Sequence, residues 1–220
     1  VWPGYTYRLF ILGLDLCIQK NHKQDMFSAS NPISLFSEWF SEAKKTLEIT
    51  EPTAMTLATA TPDGHPSARI VLLKAFDENG FVFFTHYDSR KSAEINANPN
   101  VSLCLYWMPL DKQVRIYGKA EKISDAESDS YFASRERARQ IGAWTSKQSE
   151  TLNSREQFDL ELKATEARFE GKDIPRPPHW GGWRVVPEKM EFWIQAEHRW
   201  HERLLFIRAA NGWEKQLLYP

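Results

Sequence analysis

Cysteine is scarce in this chain. Two occur in 220 residues, Cys17 and Cys104, and they lie far apart. That spacing excludes a disulfide framework and a Cys-x-x-Cys metal or redox site. Cys104 falls in an apolar strand pattern and reads as a buried thiol. A surplus of one charge is also missing, since 28 Lys and Arg balance 29 Asp and Glu. General binders of nucleic acid or anionic membranes carry a basic excess, so neither is expected as a partner. No apolar run is long enough to cross a bilayer. Residues 9–14 are apolar, but Asp15 closes them and no small-residue cleavage site follows, so they are not read as a signal peptide. A cytoplasmic location is the default expectation. Neither a G-x-G-x-x-G nor a Walker loop occurs, which argues against a dinucleotide fold or a P-loop. There is no nucleophile elbow to support Ser-His-Asp hydrolysis.

What is present suits one ordered domain with extensions. Hydrophobic residues make up 42% and aromatics 13%, enough for a sizeable core. Residues 1–30 show no clean period and are expected to form an N-terminal arm, with 31–220 as a single domain. Asn31-Pro32 offers an N-cap and a Pro at the first helical position. Ile33, Phe36, Phe40, Ala43 and Leu47 then recur at three-four spacing, which predicts an amphipathic helix. After Glu51-Pro52 the period becomes that of strands. Residues 54–61 lead to the turn Pro62-Asp63-Gly64, 67–76 form the next strand, and Asn79-Gly80 marks a hairpin into 80–86. Val101, Leu103, Leu105 and Trp107 alternate on a further strand. Another covers 113–123, with Val114 and Ile116 on one face and Gln113, Arg115 and Tyr117 on the other. Ser124-Asp125-Ala126-Glu127 is a capping box, 151–171 a long charged helix, and 173–178 a Pro-rich connector. Strands are expected around 183–187, 189–196, 202–209 and 212–218. Short turns between sequential strands mean an antiparallel sheet, expected to close as a barrel, and the helices between make the class α+β.

Cations mark the places where chemistry is expected. The strand Arg69-Ile70-Val71-Leu72-Leu73-Lys74 is closed by a cation at each end, and alternation sends the two to opposite sides. Ser89-Arg90-Lys91 opens a helix capped by Asp88 or Ser89. Two cations in a first turn oppose the helix dipole unless an anion sits among them. A phosphate held by helix N–H groups, Arg90, Lys91 and a strand Arg would settle that conflict; a solvated basic turn is the plainer alternative. Tyr131, Arg135 and Arg139 recur at spacing four and could clamp a second anion if the helix continues, or form a solvated basic face. In the segment 191–203, His198 and His201 lack a third zinc ligand at sensible spacing. Its mixture of aromatic, His and Arg side chains better suits a planar anionic organic ligand.

At this point a family resemblance is plain. Arg69-Ile-Val-Leu-Leu-Lys74, Phe84-Thr85, Ser89-Arg90-Lys91, Lys112-Gln113-Val114, Tyr131-Phe132-x-Ser134-Arg135, Gln140-Ile-Gly-Ala-Trp144, Ser146-Lys147-Gln148-Ser149, Trp180-Gly-Gly182, Glu191-Phe-Trp193 and His198-Arg199-x-His201-x-Arg203 resemble the motifs of pyridoxine/pyridoxamine 5′-phosphate oxidases, in order and spacing, from about Asn31 onward. The resemblance implies an FMN-binding split barrel with flanking helices, working as a homodimer with FMN at the subunit interface. It implies oxidation of pyridoxine or pyridoxamine 5′-phosphate to pyridoxal 5′-phosphate, with oxygen as acceptor and hydrogen peroxide as product. Arg69, Arg90, Lys91, Gln148 and Ser149 would hold FMN, mainly its phosphate end. Residues Ile70, Val71, Leu72, Leu73 and Lys74, with Phe84 and Thr85, would line the flavin, and Gln113, Trp193 and Arg203 would contact it, some from the partner subunit. Lys74, Tyr131, Arg135 and Arg139 would bind the substrate phosphate. Arg199 and His201, two apart on an expected extended segment, would share a face toward the pyridine ring and act as catalytic residues; no metal is implied.

This chain departs from the family pattern at several positions. Glu136 stands for a Pro, Arg139 for a Ser, Ile194-Gln195 for Gln-Gly, and Trp200 for a Leu. The family's Arg-x-x-Tyr arm element is not recognisable in residues 1–30. These departures bear on substrate identity more than on flavin binding. Two alternatives follow: a split-barrel oxidase of the phenazine-biosynthesis type, and a flavin- or pyridoxal-phosphate-binding protein without turnover.

Overall fold

The computed structural model describes residues 26–220. Helix α1, Pro32–Lys45, begins as its cap predicts: Asn31 Oδ1 accepts from the N–H of Ile33 at 2.7 Å and of Ser34 at 3.3 Å. Such a cap satisfies donors that the first turn leaves unpaired. Ile33, Phe36, Phe40 and Ala43 are buried along one face. Leu47, expected on that face, is 94% exposed. The helix stops first, because Thr46 turns to extended geometry and caps it. The packed chain also starts before Asn31. Met26 is fully buried in the main core, and Lys215 Nζ donates to the carbonyls of Phe27 and Ala29. The rest of the expected arm, with Cys17, lies outside the described residues.

The strands are β1 (Ala54–Ala60), β2 (Pro66–Leu72), β3 (Ala75–Asp77), β4 (Gly80–His86), β5 (Asn100–Trp107), β6 (Lys112–Lys122), β7 (Trp180–Ile194), β8 (Glu202–Ala209) and β9 (Gly212–Leu217). They form one antiparallel sheet in the order β2-β1-β5-β6-β7-β4-β3, with β8 and β9 continuing from the second half of β7. The two ends of that order, β2 and β3, are joined by only Leu73 and Lys74. The sheet must therefore curl until its edges meet, which is the curled antiparallel barrel of an α+β protein. This closure also corrects one expectation. Residues 67–76 are not one strand: Leu73 N–H still bonds toward β1, to Thr53 O, while Lys74 N–H bonds to Val82 O of β4. Alternation cannot be counted across such a corner, so it does not relate Arg69 to Lys74.

A second correction concerns β7, which is continuous where two strands were expected. Its register against β6 shifts at Gly118, where Tyr117 faces Lys189 and Gly118 faces Pro187. A Cβ on Gly118 would stand 2.0 Å from Val186 O, so the close approach needs glycine. One half of β7 can then pair with β4 and the other with β8.

Helices α2 (Arg90–Ala97), α3 (Asp125–Ala133), α4 (Arg137–Thr145) and α5 (Arg155–Arg168) complete the fold. The capping box at Ser124 and Glu127 forms as predicted. α5 is shorter than the expected 151–171, because Ser154 caps it and Phe169 ends it. Inside the barrel, Phe36 meets Phe40, Phe76, Phe81 and Trp107 ring to ring. α1 is tied to β6 by Lys112, 2% exposed, whose ammonium bonds Glu42 at 2.5 Å. A smaller core under the helices holds Phe132, Ile141, Phe169 and Trp180. Cys104 is half-buried rather than buried, because it lies on the outer face of β5, opposite Arg115. No helix among the described residues is long and apolar enough to cross a membrane.

Phe36→Ala should cost about 3–5 kcal/mol of unfolding free energy, since it empties the centre of the aromatic core. Leu47→Ala should change it by less than about 0.5 kcal/mol. Urea denaturation of the two variants checks both.

Candidate active site

The corner at Leu73-Lys74 borders a cleft of about 460 Å3 between sheet and helices. Ile70, Val71 and Leu72 of β2, with Lys74, form one wall. Phe84, Thr85 and His86 of β4 form a second, and Tyr131, Arg135 and Arg139 a third. Phe84, Tyr131 and Trp180 hold their rings nearly parallel, with 3.9 Å between the Phe84 and Tyr131 centroids. Gly182 pairs with Phe84 across the strands, and a Cβ there would stand 2.3 Å from Ile123 Cδ1 and 2.9 Å from the Phe84 ring. That close approach explains the need for glycine at position 182.

Tyr131, Arg135 and Arg139 do share the cleft, but not on one helix. α3 ends at Ala133 and α4 starts at Arg137, so two helix ends converge on it. The Arg135 guanidinium lies 4.6 Å from the Trp180 ring centroid, and its Nη1 is buried without a hydrogen-bond partner. An unpaired buried donor is costly, and an anion in the cleft would supply the acceptor. Arg139 reaches Glu136 at 3.5 Å. His86 also lines the cleft; burial, then His179, Lys91 and Arg135, lowers its pKa from 6.5 to about 4, so it presents a neutral imidazole.

The cation cluster at α2 resolves differently from the expectation. Ser89 is the N-cap but makes no side-chain cap bond. Arg90 folds back onto Glu94 at 2.8 Å, and Arg69 reaches the same carboxylate at 3.1 Å. Part of the anion expected among these cations is thus a side chain of the same helix. Arg69 also donates to Leu57 O and Thr59 Oγ1 and does not line the cleft. Leu73 does not line it either, because its side chain is in the main core. Lys91 does: its Nζ donates to Gln148 Oε1 at 2.6 Å and Thr85 Oγ1 at 3.2 Å. Burial, then Arg69, lowers its pKa from 10.5 to about 8, while Glu94 acts to raise it. Ser149 sits beside this end at φ 78, and its Oγ accepts from the Arg90 N–H at 3.2 Å.

The remaining predicted residues lie elsewhere on the sheet. Gln113, Trp193 and Arg203 are cross-strand neighbours in one row over β6, β7 and β8. The adjacent row carries Glu191, 3% exposed, which holds Arg203 at 2.8 Å and also pairs with Arg115. None of them borders the cleft. The extended segment expected for Arg199 and His201 is absent. Glu197–Arg199 is a 3-10 turn with His198 and Arg199 at φ 55 and 64. Arg199 is exposed, whereas His201 packs 4.7 Å from the Trp193 ring and accepts from the Ala196 N–H. Among the described residues no group of three or more His, Cys, Asp or Glu could hold a metal ion.

Two family models match this chain: pyridoxamine 5′-phosphate oxidase over residues 40–169, and the pyridoxine 5′-phosphate oxidase C-terminal dimerisation region over 180–220. It belongs to the pyridoxine/pyridoxamine 5′-phosphate oxidase family. The relative from Rubrobacter xylanophilus, a pyridoxine/pyridoxamine 5′-phosphate oxidase, is 55% identical over 86% of this chain and 87% of its own. That from Sphingopyxis alaskensis is 52% identical over 87% and 88%. Among solved structures, PhzG from Burkholderia lata, in complex with tetrahydrophenazine-1-carboxylic acid, superposes with TM-score 0.82 at 34% identity, over 88% of this chain and 94% of that one. A related FMN-binding protein from Nostoc punctiforme matches with TM-score 0.69 at 17% identity, over 88% and 99%, a likeness of fold.

The sequence reading missed Glu94 and His86, and the roles of Glu191 and Trp180; Glu191 stood in the Glu191-Phe-Trp193 motif. Trp180 stood in the Trp180-Gly-Gly182 motif and had a signal. A lone Glu four residues after Arg90 reads as an ordinary helix pair and had none. Burial alone would raise the Glu94 carboxyl, but hydrogen bonds from Thr59, Arg90, Ser67 and Arg69 outweigh it and bring its pKa from 4.5 to about 2. A carboxyl lowered on folding stabilises the fold above its unfolded pKa and loses that effect as pH falls through the folded one. Glu94→Gln should therefore lower the urea midpoint at neutral pH, and the gap from the parent should close between pH 4.5 and about 2.

Proposed function

We propose that this chain is a pyridoxine/pyridoxamine 5′-phosphate oxidase that binds FMN and acts as a homodimer. Relatives at 55% and 52% identity over most of the chain carry the enzyme class. The observation that carries the ligand reading is the unpaired Arg135 Nη1 in a cleft that also presents Lys91 and Lys74. That cleft suits ligands with anionic ends and a flat body. Lys91, Gln148, Thr85 and Ser149 would hold the FMN phosphate, with Arg69 and Arg90 behind them. Residues 70–72 and Phe84 would line its ring. When bound, FMN supplies the redox chemistry, and oxygen takes the electrons to give hydrogen peroxide.

The chain's own work is to bind and orient. Lys74, Tyr131, Arg135 and Arg139 would take the substrate phosphate by charge-assisted hydrogen bonds. Arg199 and His201 would face the pyridine ring, Arg199 steadying developing negative charge and His201 orienting the substrate proton. Gln113, Trp193, Arg199, His201 and Arg203 lie off the cleft of their own subunit, which favours their delivery by a second copy. The match to a C-terminal dimerisation region over 180–220 covers four of these five residues. A phenazine-type substrate is the second reading, on the strength of the likeness to PhzG, but that relative is only 34% identical.

The protein with FMN should consume oxygen steadily on pyridoxine or pyridoxamine 5′-phosphate; no uptake with either overturns the oxidase reading. Arg199→Met and His201→Asn should keep the bound-flavin spectrum while rapid-mixing flavin reduction slows by about 100-fold. Equal rates in parent and variants would remove both from the reacting centre. Sedimentation should show a dimer that FMN stabilises, by mass action on the assembled state; an FMN-loaded monomer would contradict it.

A further inference from the structure

We propose that Glu94 is the positioning residue of the cleft's cationic end: it fixes Arg69 and Arg90 in place beside Lys91, the cation that exchanges a neutral partner for an incoming phosphate. This rests on the reading that FMN places its phosphate there. Glu94 is 5% exposed and sits one turn into α2, facing β1 and β2. Thr59 donates to it at 2.5 Å, Ser67 at 3.0 Å, Arg69 at 3.1 Å and Arg90 at 2.8 Å. Such a carboxylate has little acceptor capacity left. Arg69 is held further by Leu57 O and Thr59, and Arg90 by Ser67. Both guanidiniums are thereby fixed in place, with Arg69 Nε and Arg90 Nη1 left over from these bonds.

Lys91 differs. Its three bonds go to the neutral oxygens of Gln148, Thr85 and Ser89. An ammonium among neutral acceptors is free to exchange one of them for a phosphate oxygen, a stronger charge-assisted bond. The charged and titratable groups that face it are Arg69 from β2, Glu94 from its own helix and His86 from β4. Arg69 repels its proton and Glu94 offsets that repulsion. Removing the Glu94 charge leaves Lys91 beside an uncompensated guanidinium, so it loses its proton at lower pH.

The test is titration of the apoprotein with FMN, followed by flavin fluorescence, between about pH 6 and pH 9.5. In the parent, affinity should fall as pH rises past about 8, where Lys91 deprotonates. In Glu94→Gln that fall should be displaced by about one pH unit to lower pH. Helix damage alone would weaken binding at every pH without moving the midpoint. A parent that binds FMN, with an unmoved midpoint in Glu94→Gln, overturns this inference alone; a parent that does not bind FMN overturns the cofactor reading along with it. If Glu94→Gln does not fold, Thr59→Val decides. It keeps the carboxylate but removes the hydroxyl shared with Arg69, and FMN affinity should drop about fivefold; unchanged affinity overturns the proposal.

Discussion

At Leu73-Lys74 the chain leaves β1 and joins β4, and the rest of the molecule depends on that step. A sheet whose first and last strands are consecutive in the chain has to curl, and curling encloses the aromatic core built on Phe36 and Phe81. The same step turns Lys74 into the cleft and sends Leu73 into the core. Backbone hydrogen bonds hold the corner from both sides, one to Thr53 and one to Val82. Those groups would be costly to bury unpaired. Barrel closure and the cleft wall are therefore one structural event.

Buried charge is handled in the same way at two distant places. Glu94 is shared by Arg69 and Arg90, and Glu191 by Arg115 and Arg203. Each buried carboxylate sits between two guanidiniums, so each cluster keeps one net positive charge. Removing one guanidinium from such a cluster leaves an ion pair, whereas removing the carboxylate leaves two like charges with no counter-charge between them. The arrangement fixes arginines in place, Arg69 and Arg90 near the start of α2 and Arg115 and Arg203 on the sheet. Lys91 and Arg135 are left with neutral or missing partners, and both line the cleft. Lys91 thus lies beside an arginine that Glu94 holds in place.

Local signals were legible in the sequence wherever a few neighbouring residues decide the outcome. The cap at Asn31, the capping box at Ser124 and the alternation along β6 depend on adjacent side chains and one backbone period, and each formed as read. The ordered motifs sufficed to name the family, because their spacing is carried by the chain itself. Tertiary structure alone decided the rest. A period of two says which face a residue takes, not which strand it pairs with, so the break within 67–76 and the continuity of β7 were invisible. Glu94 meets residues 25 to 35 positions away, and no local pattern encodes such a meeting. Tyr131, Arg135 and Arg139 come together through two helix ends rather than one face, and Arg199 adopts a left-handed turn. Each of these was set by closing the barrel and packing helices on it, a balance of long-range contacts that no single stretch of sequence contains.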